Sequence, residues 1–99
     1  MSTQETIEKL LELLPQLEGH VRPAADFYGY EHSGLWLTSI GEDQTVQASD
    51  GLPLADYFYQ DYDPLYESGV HKELTQALEK VAHYPEWYDA GTLMAFSDE

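Results

Sequence analysis

Apolar residues recur at helical spacing near the start of the chain: Ile7, Leu10, Leu11, Leu14 and Leu17 line one stripe. Ser2 with Glu5 three residues later reads as a capping box, and Glu5 and Lys9 are spaced as a favourable i,i+4 pair. Pro15 lacks a backbone donor and clashes one turn back. The pattern therefore predicts a kink, or a stop near Leu14 with a final turn to Glu18, ended by Gly19. Glu5, Glu8 and Glu12 fall on the outer, solvated face. A second stripe, Val70, Leu74, Ala77, Leu78 and Val81, predicts another amphipathic helix, with Ser68 as its cap and its end forced by Pro85.

Between the helices the period shortens. Residues 21–26 read as a connection. Residues 27–31 and 35–40 read as strands around the turn His32-Ser33-Gly34, with Gly34 supplying a positive φ. The run Leu35, Trp36, Leu37 and Ile40 suits a central strand. Residues 41–44 form a turn and 45–48 a short third strand, an antiparallel meander. Ser49-Asp50-Gly51 is another turn, whereas residues 52–67 show neither period and read as irregular, with room for one short strand or helical turn. After Asp89-Ala90-Gly91 a last strand spans 92–96. The expected architecture is a single α+β domain over 1–99, a small antiparallel sheet of three to four strands with two amphipathic helices. Its order is α-β-β-β-α-β, with both helices over one face.

Composition changes this picture through charge. Nineteen acids against four Lys and Arg give 4 − 19 = −15 over 99 residues, with 42% apolar residues, enough for one core. Such a surface repels phosphates, so direct binding of nucleic acid or an anionic membrane is disfavoured and a basic protein surface is the favoured partner. No apolar run approaches the ~20 residues a membrane helix needs. Residues 1–5 lack the basic and apolar regions of a signal peptide, so the cytoplasm is the expected location.

The usual catalytic signatures are missing. There is no cysteine, no G-x-S-x-G, no G-x-G and no G-K-S/T. Asp61, Asp63 and Glu67 resemble the acids of a calcium loop, but Leu65 and Tyr66 occupy positions where that loop needs an oxygen ligand and a glycine. His20, His32, His71 and His83 show no paired metal spacing. Neither enzyme activity nor a cofactor is expected.

One constellation remains. Tyr57, Tyr59, Tyr62 and Tyr66 alternate with Asp56, Asp61, Asp63 and Glu67 in the segment that fits no regular element. Tyrosine offers large contact area at low entropy cost, and carboxylates beside it accept hydrogen bonds from a partner's Arg and Lys. Flat rings between negative charges loosely imitate bases between phosphates. The competing reading makes two or three of these tyrosines core residues with hydroxyls at the surface. Glu86, Trp87, Tyr88 and Asp89 form a second acidic-aromatic cluster, which lies nearby if the last strand returns to the same end of the sheet, with Trp87 in the core. In size and charge the chain is similar to phage- and plasmid-encoded DNA mimics, anti-restriction and anti-CRISPR proteins, and nuclease-immunity proteins. No motif carries that similarity. The expected function is an acidic inhibitor or decoy occupying a basic partner surface. The alternatives are a housekeeping interaction domain of an acidic or salt-adapted proteome, and a small-ligand or enzymatic domain using a carboxylate pair.

Overall fold

The two long helices begin where the sequence supplies a side-chain cap. The computed structural model describes residues 2–38, 40, 46–58 and 65–98. Helix α1 (Thr3–Leu13) starts with the reciprocal capping box of Ser2 and Glu5 and stops at Leu14, followed by a 3₁₀ turn Pro15–Leu17 and Gly19 at φ 84°. Glu5 is thus occupied at the cap. Lys9 pairs instead with Glu12, at 3.5 Å, not with Glu5 as the spacing predicts.

The connection expected at 21–26 is structured. Strand β1 (Val21–Pro23) runs into a one-turn helix, α2 (Ala24–Tyr28), where the pattern predicts a strand over 27–31. The reason is local chemistry. Pro23 at φ −60°, ψ 140° occupies the N-cap position, Arg22 pairs with Asp26 of the first turn at 3.0 Å, and Gly29 closes the helix at φ 78°. These overrule the strand preference of Phe27 and Tyr28. Strand β2 (Leu35–Leu37) follows. Gly34 has no positive φ; a Cβ there would lie 2.8 Å from the Ala95 carbonyl oxygen and 2.6 Å from the Phe96 ring, so it is needed for close approach.

The described part of the expected third strand, residues 46–48, is no member of the four-stranded sheet. Thr45 and the expected turn at 41–44 lie outside the described residues. Gln47 bridges Pro53 across a loop whose turn, Ser49-Asp50-Gly51, is where the sequence places it. Strands β3 (Tyr66–Glu67) and β4 (Val70–His71) make a two-stranded hairpin. Ser68 (φ 52°) and Gly69 (φ 78°) both adopt left-handed conformations, the signature of a type I′ turn. Ser68 is therefore a turn residue and not the expected cap. The cap of helix α3 (Lys72–Lys80) is His71, whose Nδ1 accepts the Glu73 amide at 3.0 Å. Ala82 at φ 58° turns the chain out of α3 before Pro85 is reached.

Pro85 sits instead inside strand β5 (His83–Asp89), which pairs with β6 (Thr92–Ser97). The four-stranded sheet is antiparallel in order β1-β2-β6-β5, so β2 is interior, as its apolar run predicts, and β5 is an edge strand that accommodates a proline. The fold is α+β. One sheet face carries Leu35, Leu37, Leu93 and Ala95 into a core with Ile7, Leu10 and Leu14 of α1 and Leu74, Ala77 and Leu78 of α3. Both predicted stripes are buried there, each large aliphatic contributing about 1.5–3 kcal/mol. The opposite face, beside α2, carries Trp36, Met94 and Phe96. Among the described residues no helix is long and apolar enough to cross a membrane.

Candidate functional site

The acidic-aromatic segment is anchored by the β3–β4 hairpin. The Asp56 amide donates to the Gly69 carbonyl at 2.8 Å, and a Cβ on Gly69 would lie 2.6 Å from the Asp56 carbonyl oxygen. Glycine is thus required both by φ and by contact. Asp56 is buried, and its Oδ1 accepts the Phe58 amide at 3.0 Å, closing a side-chain turn. Tyr66 is only 2% exposed; its hydroxyl donates to the Pro53 carbonyl and its ring stands edge-on to His71. These two residues fix the described ends of the segment.

Outward from that anchor stand Tyr57, Phe58 and Glu67. Phe58 is 81% exposed and Glu67 is exposed, whereas Tyr57 is half-buried with its ring perpendicular to Trp87 at 5.4 Å. Tyr59, Asp61, Tyr62 and Asp63, the remaining residues of the expected site, lie outside the described residues.

Trp87 joins the two clusters seen in the sequence. Its indole is half-buried, packs against the core, and donates Nε1–H to the Ser68 carbonyl at 2.7 Å. A carbonyl accepting across the hairpin fixes both the ring and the turn. Between α3 and β5 this arrangement leaves a groove of about 500 Å³. Its acidic lining is Glu67, Glu79 and Asp98, and its aromatic lining is Tyr84, Trp87 and the imidazole of His83; among the described residues no Lys or Arg lines it. A hydrated cation entering it meets three carboxylates around flat apolar walls, the environment in which an Arg or Lys side chain is both paired and stacked.

A second acid-bearing junction ties exposed Ser49 and Asp50 to the start of α3 at buried His71. His71 is fully buried; because its Nδ1 accepts the Glu73 amide, its proton lies on Nε2 and is donated to Asp50 Oδ2 at 2.9 Å. That bond, then the Leu52 amide, hold the Asp50 carboxyl below the usual range. The Ser49 hydroxyl and amide do the same for Glu73. This network latches the 49–51 turn onto the start of α3. Among the described residues no group of three or more His, Asp or Glu is arranged to hold a metal ion.

Sequence reasoning missed Tyr84, Glu79 and Asp98 as groove residues. The signal for a strand there was available: Tyr84, Glu86 and Tyr88 alternate with His83, Pro85 and Trp87 at strand spacing, although that alternation pairs Tyr84 with Phe96 on the far face and does not by itself bring it to the groove. Pro85 hid it by reading as a helix stop. Comparison with family models, with curated proteins and with solved structures finds no match to this chain.

Proposed function

We propose that this protein is an acidic binding module, an inhibitor or nucleic-acid-mimicking decoy that occupies a basic surface of a partner protein and works by contact alone. The observation that carries this reading is the groove between α3 and β5, where Glu67, Glu79 and Asp98 line the same cavity as Trp87 and Tyr84, with no Lys or Arg and with His83 as its one basic residue among the described residues. Half-buried Tyr57 packs on the groove residue Trp87, and next to it Phe58 supplies exposed ring area of the kind that anchors interfaces. A net charge of −15 steers a basic partner toward the surface and lends association a strong salt dependence.

The test is capture of a partner from the native host on immobilised protein at low and raised salt, with duplex DNA as competitor. The reading requires a basic partner that salt and DNA both displace, and whose capture falls when Glu67, Glu79 and Asp98 are replaced by amides. A partner held equally well by that triple variant contradicts it. A second reading, an interaction domain of an acidic or salt-adapted proteome, is favoured by one observation. Exposed acids also occupy α1 (Glu5, Glu8, Glu12) and the far face (Glu31, Glu86, Asp89), not only the groove.

A further inference from the structure

The sheet face turned away from the core holds a second concave site, and its chemistry differs from that of the groove. The register places Arg22, Trp36, Met94 and Glu86 in one row across the four strands. At the β1 end of the row the Arg22 guanidinium lies over the Trp36 ring, 5.7 Å from its centroid, while pairing with Asp26 at 3.0 Å. At the β5 end the row finishes in Glu86, an exposed carboxylate with no ion pair among the described residues.

Rings surround that carboxylate. A hollow of about 240 Å³ has buried Met94 at its base, with Tyr28, Tyr88 and Phe96 in its lining beside Glu86. Tyr88 follows Glu86 on this face at strand spacing, at the point where the β5–β6 pairing slips between Trp87 and Asp89 and leaves Tyr88 without a register partner. Such irregularities re-aim side chains. The Tyr88 ring meets Phe27 at 4.9 Å and stands at 75° to Tyr28 at 6.2 Å, yet remains 58% exposed. His32 stacks on the outer side of Tyr28 at 4.5 Å, bracing it.

We infer that this hollow is a binding site for a guanidinium group, the arginine side chain of a basic partner protein, packed against the Tyr28 and Tyr88 rings that line it and paired with Glu86. Three considerations select that occupant. A phosphate or carboxylate ligand meets Glu86 and the charge of the whole chain, both repulsive. An apolar occupant strips water from Glu86 and leaves a carboxylate without a partner, a costly arrangement. A planar, weakly hydrated cation satisfies rings and carboxylate together, and Arg22 already shows that combination on the same face. The inference extends the proposed function by naming a side chain that the basic partner presents. It is separable from that function, because a free arginine derivative probes the hollow whether or not the partner exists.

The experiment is a titration of the isotope-labelled protein, followed by NMR, with N-acetyl-arginine methylamide, the lysine analogue, and the uncharged isostere N-acetyl-citrulline methylamide. The expected result is a saturable set of shifts at Tyr28, Glu86, Tyr88, Met94 and Phe96 for the arginine compound. The lysine compound binds more weakly, and citrulline produces no saturable shift. Glu86→Gln and Tyr88→Ala each weaken the arginine compound by about tenfold, equivalent to ~1.4 kcal/mol. Tyr88→Phe retains binding, because the ring and not the hydroxyl makes the contact. Both side chains are exposed, so a retained native spectrum at the titration temperature serves as the control for folding, including for Tyr88→Ala, which loses the ring contact with Phe27. Equal response to citrulline, shifts scattered over all acidic positions, or full binding by Glu86→Gln overturns the inference.

Discussion

Replacing Gly69 by alanine puts a Cβ into a space the chain has already filled, and the cost is calculable from two parts. At φ 78° an L-residue gives up about 1–2 kcal/mol relative to its preferred region. The new Cβ also lies 2.6 Å from the Asp56 carbonyl oxygen and 3.1 Å from the Tyr57 Cα, backbone atoms that cannot swing away as a side-chain tip does. Relief requires moving the 56–57 segment, and with it the 2.8 Å bond from the Asp56 amide to the Gly69 carbonyl, which contributes about 1 kcal/mol. The expected loss is therefore about 2–3 kcal/mol. Gly51 is the control: its φ is 85°, but a Cβ there meets nothing within 4 Å, so Gly51→Ala loses only the conformational part, about 1–2 kcal/mol. At this chain length each kcal/mol moves Tm by roughly 4–8 °C. Denaturant and thermal unfolding of both variants read the difference directly. Gly69→Ala also shifts Tyr57 and so alters Trp87 fluorescence, which Gly51→Ala leaves unchanged. Equal destabilisation by the two substitutions refutes the claim that the hairpin turn anchors the acidic-aromatic segment by contact.

Three further outcomes follow from the same contacts. Asp50 and Glu73 titrate below their ordinary values in the folded state, so their stabilisation is present above the unfolded carboxyl range and is lost as pH falls through the folded values. Unfolding followed below about pH 4 should show a loss of stability that Asp50→Asn reduces; an unchanged slope speaks against the latch. Trp87→Phe keeps a ring but removes the 2.7 Å bond to the Ser68 carbonyl, with an expected cost of about 1 kcal/mol or more in urea unfolding and weaker partner binding. Leu74→Ala, in a fully buried position where α3 meets the sheet, should cost about 2–5 kcal/mol without altering partner affinity of the remaining folded protein.

The two long helices were legible in the sequence because their signals are local. A capping box, a helical apolar stripe and a proline stop act within a few residues, and α1 follows them almost residue by residue. The strands were harder to read because sheet membership is decided by partners far along the chain. Residues 83–89 form the longest strand, but Pro85 within them is tolerable only at a sheet edge, a fact of topology absent from the local pattern. Phe27 and Tyr28 carry strand-forming side chains, yet Arg22–Asp26 pairing and Gly29 turn them into a helix. His71 takes the cap from Ser68 because the Ser68-Gly69 turn comes first. For the site, the sequence located acid beside aromatic rings but could not distinguish Tyr66, which is core, from Tyr57, which faces Trp87. It also could not place Glu79 and Asp98, nearly twenty residues apart, in one groove.

The central claim is that the acids act by position and not merely by number. Two triple variants with the same net charge, −15 + 3 = −12, decide it: Glu67→Gln with Glu79→Gln and Asp98→Asn in the groove, and Glu8→Gln with Glu12→Gln and Glu18→Gln on the first helix and the turn after it. Affinity for the captured basic partner is measured for both at one fixed ionic strength. The account predicts that the groove variant loses binding while the helix variant keeps it within a small factor. Equal weakening of the two contradicts the account, because it makes the acidity a property of the whole surface and leaves the groove without a role.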